Sequence, residues 1–199
     1  MNRALAQVAF VTGASSGMGK ETALRLLDKG FIVYVAARRL ELMTDLQERG
    51  AIAIQMDISK EEQIVAAIQK VEAAHGGIDV LINNAGFGMY GSMEESSIAD
   101  ARYQFEVNLF GLARLTQLAL PYMRQKGAGT IVNISSMGGK MYTPLGSWYH
   151  ATKHALEGWS DCLRIELASF GIKVIIIEPG AIATEWGNVM LGPMWQRSG

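Results

Sequence analysis

The sequence predicts an α/β protein in which helices cover both faces of a parallel sheet. Short apolar runs rich in Val and Ile alternate with longer amphipathic segments along the chain. A glycine-rich turn separates the first apolar run from the first helical segment. Strands that are apolar along their whole length are typical of parallel sheets, because each face packs against helices. These observations predict a doubly wound parallel sheet with the architecture of a Rossmann fold.

Six apolar runs are the predicted strands. They are Val8–Val11, Phe31–Val35, Ala51–Gln55, Val80–Ile82, Thr130–Ile134 and Val174–Ile177. The segments between them are long enough for right-handed βαβ crossovers. The expected strand order is therefore 3-2-1-4-5-6.

Five amphipathic segments are the predicted helices. They are Lys20–Lys29, Leu40–Arg49, Glu61–Ala74, Ile98–Gln125 and Ser147–Phe170. Gly30 and Gly50 directly follow the first two, where glycine is typical of a helix C-terminus.

The composition suits a single domain, which we assign to residues 1–199. Hydrophobic residues make up 49% and charged residues 19% of the chain, and the formal net charge is −1. Because this charge creates no strong global field, we expect no nucleic-acid partner. No apolar run approaches the ~20 residues of a membrane-spanning helix, so we also expect no membrane span.

The N-terminal segment and the cysteine usage indicate a cytoplasmic protein. The apolar part of the N-terminus continues directly into the glycine turn, which favours a first strand over a cleaved signal. Cys162, the single cysteine, cannot form an internal disulfide. It lies among apolar neighbours in a predicted helix, which favours a reducing compartment and a packing role.

The turn from Thr12 to Gly19 has the features of a nucleotide-binding loop. Gly13 permits a sharp turn, Gly17 allows the backbone to approach a pyrophosphate, and Gly19 allows close packing at the start of the helix. Backbone N–H groups and the positive end of the helix then face an anion. The cofactor-binding residues expected here are Gly13, Ser15, Ser16, Gly17, Met18 and Gly19. The spacing differs from G-x-G-x-x-G, and the alternative is a strand-to-helix turn that binds no ligand.

Arg38 and Arg39 favour NADP(H) over NAD(H). Folds that prefer NAD carry an acidic residue at the end of the second strand, where it binds the ribose hydroxyls. Here that place holds Ala36, Ala37 and the two arginines. A guanidinium group can bind the additional phosphate of NADP with two hydrogen bonds. The alternative is that both arginines simply begin a solvated helix.

Tyr149 and Lys153 are candidates for an acid–base pair. They are four residues apart in a predicted helix and therefore share one face, and Ser136 precedes Tyr149 by thirteen residues. A nearby ammonium favours the ionised phenol, so we expect the tyrosine pKa to be lowered from about 10. The alternative for an isolated pair is a half-buried aromatic ring beside a solvated charge.

These motifs, in this order, resemble those of the short-chain dehydrogenase/reductase family over essentially the whole chain. The glycine turn is similar to the family's T-G-x-x-x-G-x-G, Asn83–Gly86 to its N-N-A-G, and Tyr149–Lys153 to its Y-x-x-x-K. The resemblance implies further cofactor-binding residues at Asp57, Ile58, Asn84, Ala85, Gly86, Pro179, Gly180, Ile182 and Thr184, in addition to Tyr149 and Lys153 themselves.

The resemblance also implies four catalytic roles in hydride transfer between NADP(H) and a carbonyl or secondary alcohol. Tyr149 would protonate the carbonyl oxygen, and Lys153 would bind the nicotinamide ribose and lower the tyrosine pKa. Ser136 would hydrogen-bond the substrate oxygen, with neighbouring Ser135 as the alternative. Asn108 would hold a water that connects Lys153 to solvent. A preplaced pair of hydroxyl groups is what the negative charge developing on that oxygen requires.

The residues around the expected pocket favour a hydrophobic substrate. Met89, Tyr90, Met137, Met141, Tyr142, Leu145 and Trp148 are the apolar and aromatic residues that we place there. Adaptable methionines beside aromatic rings suit such a ligand, and the alternative is ordinary core packing. His150, His154 and Glu157 share helical spacings but lack further ligands nearby, so we expect no metal site.

The C-terminal region departs from the family pattern. Family members commonly continue past Thr184 with a substrate-covering helix pair and a seventh strand, whereas only Glu185–Gly199 remain here. We therefore expect the substrate-covering part and the seventh strand to be missing, and the sixth strand to form an open edge. The short C-terminus makes a catalytically weak or inactive nucleotide-binding protein the alternative function. A third interpretation keeps the fold and changes the reaction to that of an epimerase or dehydratase that retains its cofactor.

The two long predicted helices suggest oligomerisation. Those that begin near Ile98 and Ser147 resemble the surfaces through which family members form four-helix contacts. We expect a homodimer or homotetramer.

Overall fold

The protein is built on one six-stranded parallel sheet. The structure, a computed structural model, describes residues 6–182. The strands are β1 (Val8–Thr12), β2 (Ile32–Ala37), β3 (Ile52–Gln55), β4 (Val80–Asn83), β5 (Gly129–Ile134) and β6 (Ile172–Ile177). Their order in the sheet is β3-β2-β1-β4-β5-β6, and every neighbouring pair is parallel. The predicted strand order and fold class are confirmed.

Six α-helices surround the sheet in the described part of the chain. They are α1 (Gly17–Asp28), α2 (Thr44–Glu48), α3 (Glu61–His75), α4 (Ile98–Phe105), α5 (Gly111–Lys126) and α6 (Ser147–Leu167). None of the helices within residues 6–182 is long and apolar enough to cross a membrane.

Two predicted helices differ from the structure. The segment expected as a helix over 40–49 is a 3-10 turn, Leu40–Met43, followed by the short α2. The segment expected over 98–125 is divided by a π-helical turn, Glu106–Phe110, which joins α4 to α5. A π turn inserts one extra residue and rotates the side chains that follow, and such turns occur frequently at functional sites.

The sheet is covered on both faces over strands β1 and β2. Adjacent residues of β1 enter different hydrophobic clusters, because side chains alternate along a strand. Phe10 packs in a cluster with Leu115 and Leu163 of α5 and α6. Val11 packs in a second cluster that includes Leu46 of α2. The strands are therefore apolar along their length because both of their faces are buried, as the sequence suggested.

β6 forms one end of the sheet within the described residues. It pairs with β5, and Ile175 and Ile177 remain 40% and 43% exposed. The expected absence of a seventh strand concerns residues 183–199, which lie outside the described part of the chain.

The carboxyl ends of the strands carry the residues that the sequence analysis assigned to a site. Thr12 and Asn83 end β1 and β4, while Ile134 ends β5 directly before Ser135 and Ser136. The crevice outside the carboxyl edge is where open α/β sheets bind ligands. The fold thus brings segments that are distant in sequence to one edge.

Candidate active site

The glycine turn after β1 adopts backbone conformations that other residues avoid. Gly13 and Gly17 have φ angles of +65° and +53°. A Cβ on Gly13 would lie 2.9 Å from Cα of Ala85, and a Cβ on Gly19 would collide with the Asn84 side chain. The predicted need for glycine therefore has two causes, the left-handed backbone and the close approach of the segment after β4.

The N-N-A-G segment braces this turn. Asn84 Nδ2 donates to the carbonyl oxygens of Thr12 and Gly13, at 2.9 and 3.1 Å. The Thr12 hydroxyl accepts from the backbone N–H groups of Asn84 and Ala85, each at 3.0 Å. Four hydrogen bonds thus fix the loops after β1 and β4 to each other. The structure shows that the Asn84 amide is bonded to the turn itself.

Asp57 and Ile58 form the start of the loop after β3. The Asp57 carboxylate accepts from the backbone N–H and the hydroxyl of Ser59, at 3.0 and 2.8 Å. Ile58 is buried, and its carbonyl oxygen lies against Gly111 at the start of α5. The loop is therefore packed directly onto the helix that follows the π turn.

Arg38 and Arg39 are exposed at the end of β2. Arg38 Nη1 donates to the hydroxyl of Tyr103 on α4 at 3.4 Å, and its carbonyl oxygen accepts from Gln55. Both residues follow β2 at its carboxyl end, the same edge of the sheet that carries the glycine turn. A guanidinium group at this edge is suited to bind an anionic group.

Tyr149 and Ser136 form the hydroxyl pair that the sequence analysis expected. Tyr149 on α6 is 5% exposed, and the Ser136 hydroxyl accepts from the backbone N–H of Gly138 at 3.0 Å. Burial raises the pKa of Tyr149 to about 12, although its hydrogen bond with Ser136 acts to lower that pKa. The phenol is consequently protonated throughout the neutral range.

Lys153 lies one helical turn from Tyr149 and is buried. Its Nζ donates to the carbonyl oxygen of Ile134 at 2.9 Å and lies 5.9 Å from the centroid of the Tyr149 ring. Desolvation lowers the pKa of Lys153 to about 8, while the charge of Glu157 acts to raise it. The two groups share one helical face, as predicted.

The expected lowering of the tyrosine pKa is wrong for this structure. Burial of Tyr149 is the largest cause of its pKa shift, and it acts in the opposite direction. Sequence spacing places the ammonium near the ring but carries no information about how much water is removed from the phenol.

Asn108 lies in the π turn, and both polar atoms of its side-chain amide form hydrogen bonds within the site. Its Nδ2 donates to the carbonyl oxygen of Phe87 at 2.9 Å and to the hydroxyl of Thr152 at 3.0 Å. Its Oδ1 accepts from the backbone N–H of Phe87 at 3.0 Å. A Cβ on Gly86 would lie 3.2 Å from Asn108 Oδ1 and 3.8 Å from Lys153 Nζ. The structure therefore brings Asn108 and Lys153 together on either side of Gly86, where a side chain would be tightly packed.

His150 fixes the loop that follows Ser136. The backbone N–H of Thr143 donates to its Nε2 at 3.1 Å, so the proton lies on Nδ1, which donates to the carbonyl oxygen of Gly138 at 2.8 Å. Both ring nitrogens are thus used in hydrogen bonds to the loop. From the sequence, His150 was weighed as a metal ligand and that role was rejected. Residues 6–182 contain no group of three or more His, Cys, Asp or Glu side chains that could hold a metal ion.

A buried amide network below the site was missed by sequence reasoning. Asn83 Nδ2 donates to Thr116 Oγ1 at 3.1 Å and to Asn133 Oδ1 at 2.9 Å. Asn133 Nδ2 donates to the Ser160 hydroxyl at 2.9 Å. The chain of bonds joins β4 and β5 to α5 and α6. Its signal in the sequence is a polar residue near the end of two otherwise apolar strands.

The P-G segment after β6 packs on the loop that carries Ser136. The carbonyl oxygen of Pro179 accepts from the backbone N–H of Met137 at 3.0 Å, and a Cβ on Gly180 would lie 3.3 Å from Met137 Sδ. Ile182 is about half exposed. Thr184, the remaining residue predicted in this segment, lies outside the described residues.

The expected hydrophobic pocket is only partly assembled from the predicted residues. Tyr90 packs against the ring of Tyr149, with 5.7 Å between centroids. The side chains of Met137, Met141, Tyr142 and Leu145 are exposed, and Met89 is buried. Trp148 lines a separate groove with Phe105 and Phe110 of the α4–α5 segment, because adjacent residues of a helix point in different directions. Its assignment to the pocket around Tyr149 is wrong.

The sheet order, the braced glycine turn and the tyrosine–lysine pair are together typical of oxidoreductases that bind a dinucleotide on a Rossmann fold. The family model described as short chain dehydrogenase matches residues 7–190. The chain belongs to the short-chain dehydrogenase/reductase family of oxidoreductases.

Two curated relatives illustrate how far the similarity extends. A probable short-chain type dehydrogenase/reductase, VdlC of Helicobacter pylori, is 38% identical over 179 residues, covering 90% of this chain and 66% of the relative. A 3-ketodihydrosphingosine reductase of Bacteroides thetaiotaomicron is 37% identical over 179 residues, covering 89% of this chain and 65% of the relative. The chain thus spans about two thirds of the length of these relatives.

Solved structures show the same architecture. A short-chain dehydrogenase from Streptomyces avermitilis has a TM-score of 0.87 at 46% identity, with 89% of this chain and 66% of that chain covered. A 3-ketoacyl-(acyl-carrier-protein) reductase from Brucella melitensis, complexed with NADH, has a TM-score of 0.88 at 31% identity and coverages of 94% and 80%. A variant of actinorhodin polyketide ketoreductase with NADPH has a TM-score of 0.86 at 37% identity and coverages of 90% and 72%.

Proposed function

We propose that this protein is an oxidoreductase that transfers a hydride between NADP(H) and a carbonyl or secondary alcohol substrate. The observation that supports this most strongly is the Tyr149–Ser136 hydroxyl pair beside buried Lys153 at the carboxyl edge of the sheet. A bound nicotinamide supplies the hydride. The chain itself supplies the proton, the hydrogen bonds that orient the substrate oxygen, and the shielding from water.

The residues present fit a dinucleotide. A side chain at Gly13 or Gly19 would collide with the loops that line the crevice, and one at Gly86 would crowd the side chain of Asn108. The turn at Gly13–Gly19 would hold the pyrophosphate, and Lys153 with Tyr149 would hold the nicotinamide ribose. The loop residues Asp57, Ile58, Asn84 and Ala85 would line the adenosine side, and Pro179, Gly180 and Ile182 the nicotinamide side, to which we also assign Thr184.

Tyr149 is suited to act as the acid during carbonyl reduction. With a pKa of about 12, it holds its proton at neutral pH and can donate it to an oxygen that gains negative charge. Ser136 donates a hydrogen bond to the same oxygen. Lys153, in its cationic form, stabilises the phenolate that remains, and Asn108 holds the loop beside the lysine through Phe87.

NADP(H) is the cofactor that the sequence at the end of β2 favours. Arg38 and Arg39 are exposed there and can pair with the additional phosphate. Structures of similar proteins contain NADH in one case and NADPH in another, so the proposed preference for NADP(H) depends on the two arginines.

The substrate is expected to be hydrophobic. Tyr90 packs on Tyr149, and Met137 and Met141 are exposed on the loop after Ser136. Thioether and aromatic side chains next to the reacting group favour apolar ligands. The name of one relative, 3-ketodihydrosphingosine reductase, agrees with this class.

We further propose a single domain over residues 1–199, a homodimer or homotetramer, and a cytoplasmic location. One sheet joins the described residues. The homo-oligomer is supported by a groove of about 470 Å³, which Ile98 and Phe110, both about half exposed, line with Trp148.

The cytoplasmic location is supported by Cys162, which is exposed and free and therefore suits a reducing compartment. The packing role predicted for Cys162 is wrong.

The decisive experiment measures the loss of NADPH absorbance with a panel of ketones and aldehydes. Tyr149→Phe removes the proton donor and retains the ring, so we expect kcat to fall by roughly 100-fold to 10,000-fold. Tight NADPH binding without turnover of any carbonyl would instead support the nucleotide-binding protein. Product formation without net NADPH consumption would support an epimerase or dehydratase.

A further inference from the structure

Helix α6 carries a second buried charge next to Lys153 that the proposed mechanism does not use. Glu157 is 5% exposed and follows Lys153 by four residues. Residues at this spacing are neighbours on one helical face, with Cβ atoms roughly 5–6 Å apart. The catalytic face of α6 therefore presents Tyr149, Lys153 and Glu157 on successive turns.

The Glu157 carboxylate is paired with a residue of the loop that carries Ser136. Lys140 Nζ lies 2.9 Å from Glu157 Oε2. Lys140 directly follows the 3-10 turn Met137–Gly139, which Ser136 caps. A Cβ on Gly139 would lie 2.8 Å from Glu157 Cγ, so the turn rests directly on the glutamate side chain. The loop and the buried carboxylate form one packed unit.

The charged groups around this unit come from three elements. Lys153 and Asp161 lie on α6 with Glu157, and Lys140 approaches from the loop after β5. Glu178, after β6, lies 3.6 Å from Lys140 and shares that ammonium. Lys153 itself faces Tyr149, the carbonyl oxygen of Ile134 and the Asn108–Gly86 corner.

Glu157 is the opposite charge that opposes the desolvation of Lys153. Burial of an ammonium disfavours its charged form, and a nearby carboxylate favours that form. Glu157 acts in this direction on the pKa of Lys153. Lys140 is about half exposed and pairs with the same carboxylate. We expect its positive charge to offset part of the effect of Glu157 on Lys153. The pKa of Lys140 itself is raised, with the Glu157 hydrogen bond as the largest cause.

We propose that Glu157 is a positioning residue that keeps Lys153 cationic, and that Lys140 moderates this effect. For its catalytic meaning the inference rests on the proposed function. Because Lys140 pairs with Glu157, the charge of Lys153 is coupled to the loop that carries Ser136 and the exposed methionines.

The test is a lysine titration by NMR, which requires neither substrate nor turnover. The ¹³Cε resonances of the intact chain are followed from pH 6 to pH 11, and Lys153→Arg assigns the Lys153 resonance by its disappearance. Glu157→Gln keeps the shape of the side chain and removes its charge. We expect this variant to lower the midpoint of Lys153 by about 1 pH unit. Lys140→Gln should raise the midpoint, because it removes a like charge and leaves Glu157 in place.

Two further variants keep the test decisive. Glu178→Gln removes a half-exposed carboxylate that lies after β6 and pairs with Lys140, so we expect the Lys153 midpoint to stay within about 0.3 pH unit. If Glu157→Gln does not fold, Lys140→Gln alone decides the matter. An unchanged midpoint in Glu157→Gln, or a lowered midpoint in Lys140→Gln, overturns the proposal, because a structural anchor predicts no opposite displacements.

The kinetic readout separates this inference from the proposed function. If the protein reduces carbonyls, the alkaline limb of kcat/KM should move to lower pH in Glu157→Gln and to higher pH in Lys140→Gln. If no carbonyl is reduced while the Lys153 midpoint moves as expected, the inference about charge stands and the proposed function fails.

Discussion

Lys153 shows how burial changes the chemistry of a single residue. Its ammonium donates to the carbonyl oxygen of Ile134 in a site that excludes water, and its pKa falls to about 8. Between that value and about 10.5, the folded state binds fewer protons than the unfolded state. The cost of burying the charge is therefore fully present below pH 8 and is relieved as the pH rises.

Replacement of Lys153 by Met should remove this pH dependence. We expect the free energy of unfolding of the native protein to rise relative to that of Lys153→Met by about 2 kcal/mol between pH 7 and pH 10. Urea unfolding of both proteins at several pH values gives this difference. A difference that is constant over this range would show that Lys153 is not buried in a charged form.

Arg38 is the residue at which cofactor choice can be tested. Arg38→Asp replaces attraction for the additional phosphate of NADP by repulsion. Since hydrogen bonds to charged groups contribute roughly 1.5–3 kcal/mol, the Kd for NADPH should rise at least about tenfold, with a much smaller change for NADH.

Fluorescence titration of both cofactors measures these dissociation constants. Arg49→Asp is the matched control, because Arg49 pairs with Asp28 at the carboxyl ends of α1 and α2, away from the crevice. Equal losses of NADPH and NADH affinity in Arg38→Asp would remove the reason for preferring NADP.

At the scale of the elements, the π turn between α4 and α5 determines where Asn108 lies. Gly111 begins α5, and a Cβ there would collide with the carbonyl oxygen of Ile58. This contact presses the helix against the loop after β3. It also connects the position of Asn108 to the loop that we propose lines the adenosine side of the crevice.

Two glycine-to-alanine substitutions separate packing from helix propensity. Gly111→Ala should destabilise the protein by roughly 1–3 kcal/mol, because the new methyl group meets backbone that cannot move aside. Gly158→Ala, in the exposed middle of α6, meets nothing within 4 Å and should stabilise by about 0.5–1 kcal/mol. Thermal or urea unfolding measures both. Equal changes in the free energy of unfolding would show that the contact with Ile58 does not destabilise Gly111→Ala.

The strands were predictable because each is a continuous apolar run, and β6 simply begins two residues earlier than expected. The π turn was not, because it depends on the Gly111–Ile58 contact and on the bonds from Asn108 to Phe87, which join distant segments. The direction of the Tyr149 pKa likewise depends on burial. Residue spacing along one helix predicts neither the π turn nor the direction of this pKa shift.

On the scale of the whole molecule, the groove between α4 and α6 is the surface that we propose for a second copy of the chain. Its apolar lining includes Ile98, Phe110 and Trp148. We expect Phe110→Arg to shift the native mass towards the monomer, because it places a charge in this lining. Leu42→Arg is the control, since Leu42 is 38% exposed on the 3-10 turn Leu40–Met43, outside both long helices, and does not line the groove. Light scattering after gel filtration measures the mass, and an unchanged mass in Phe110→Arg would exclude this interface.

The hydrogen bonds that join Thr12, Gly13, Asn84 and Ala85 have a consequence for exchange of parts between relatives. The two loops already hold each other, so a dinucleotide that docks there has little protein to immobilise. A chimera that receives the glycine turn from one homologue and the N-N-A-G segment from another would lose this mutual support. The two stretches, about seventy residues apart in the chain, must therefore be transplanted together.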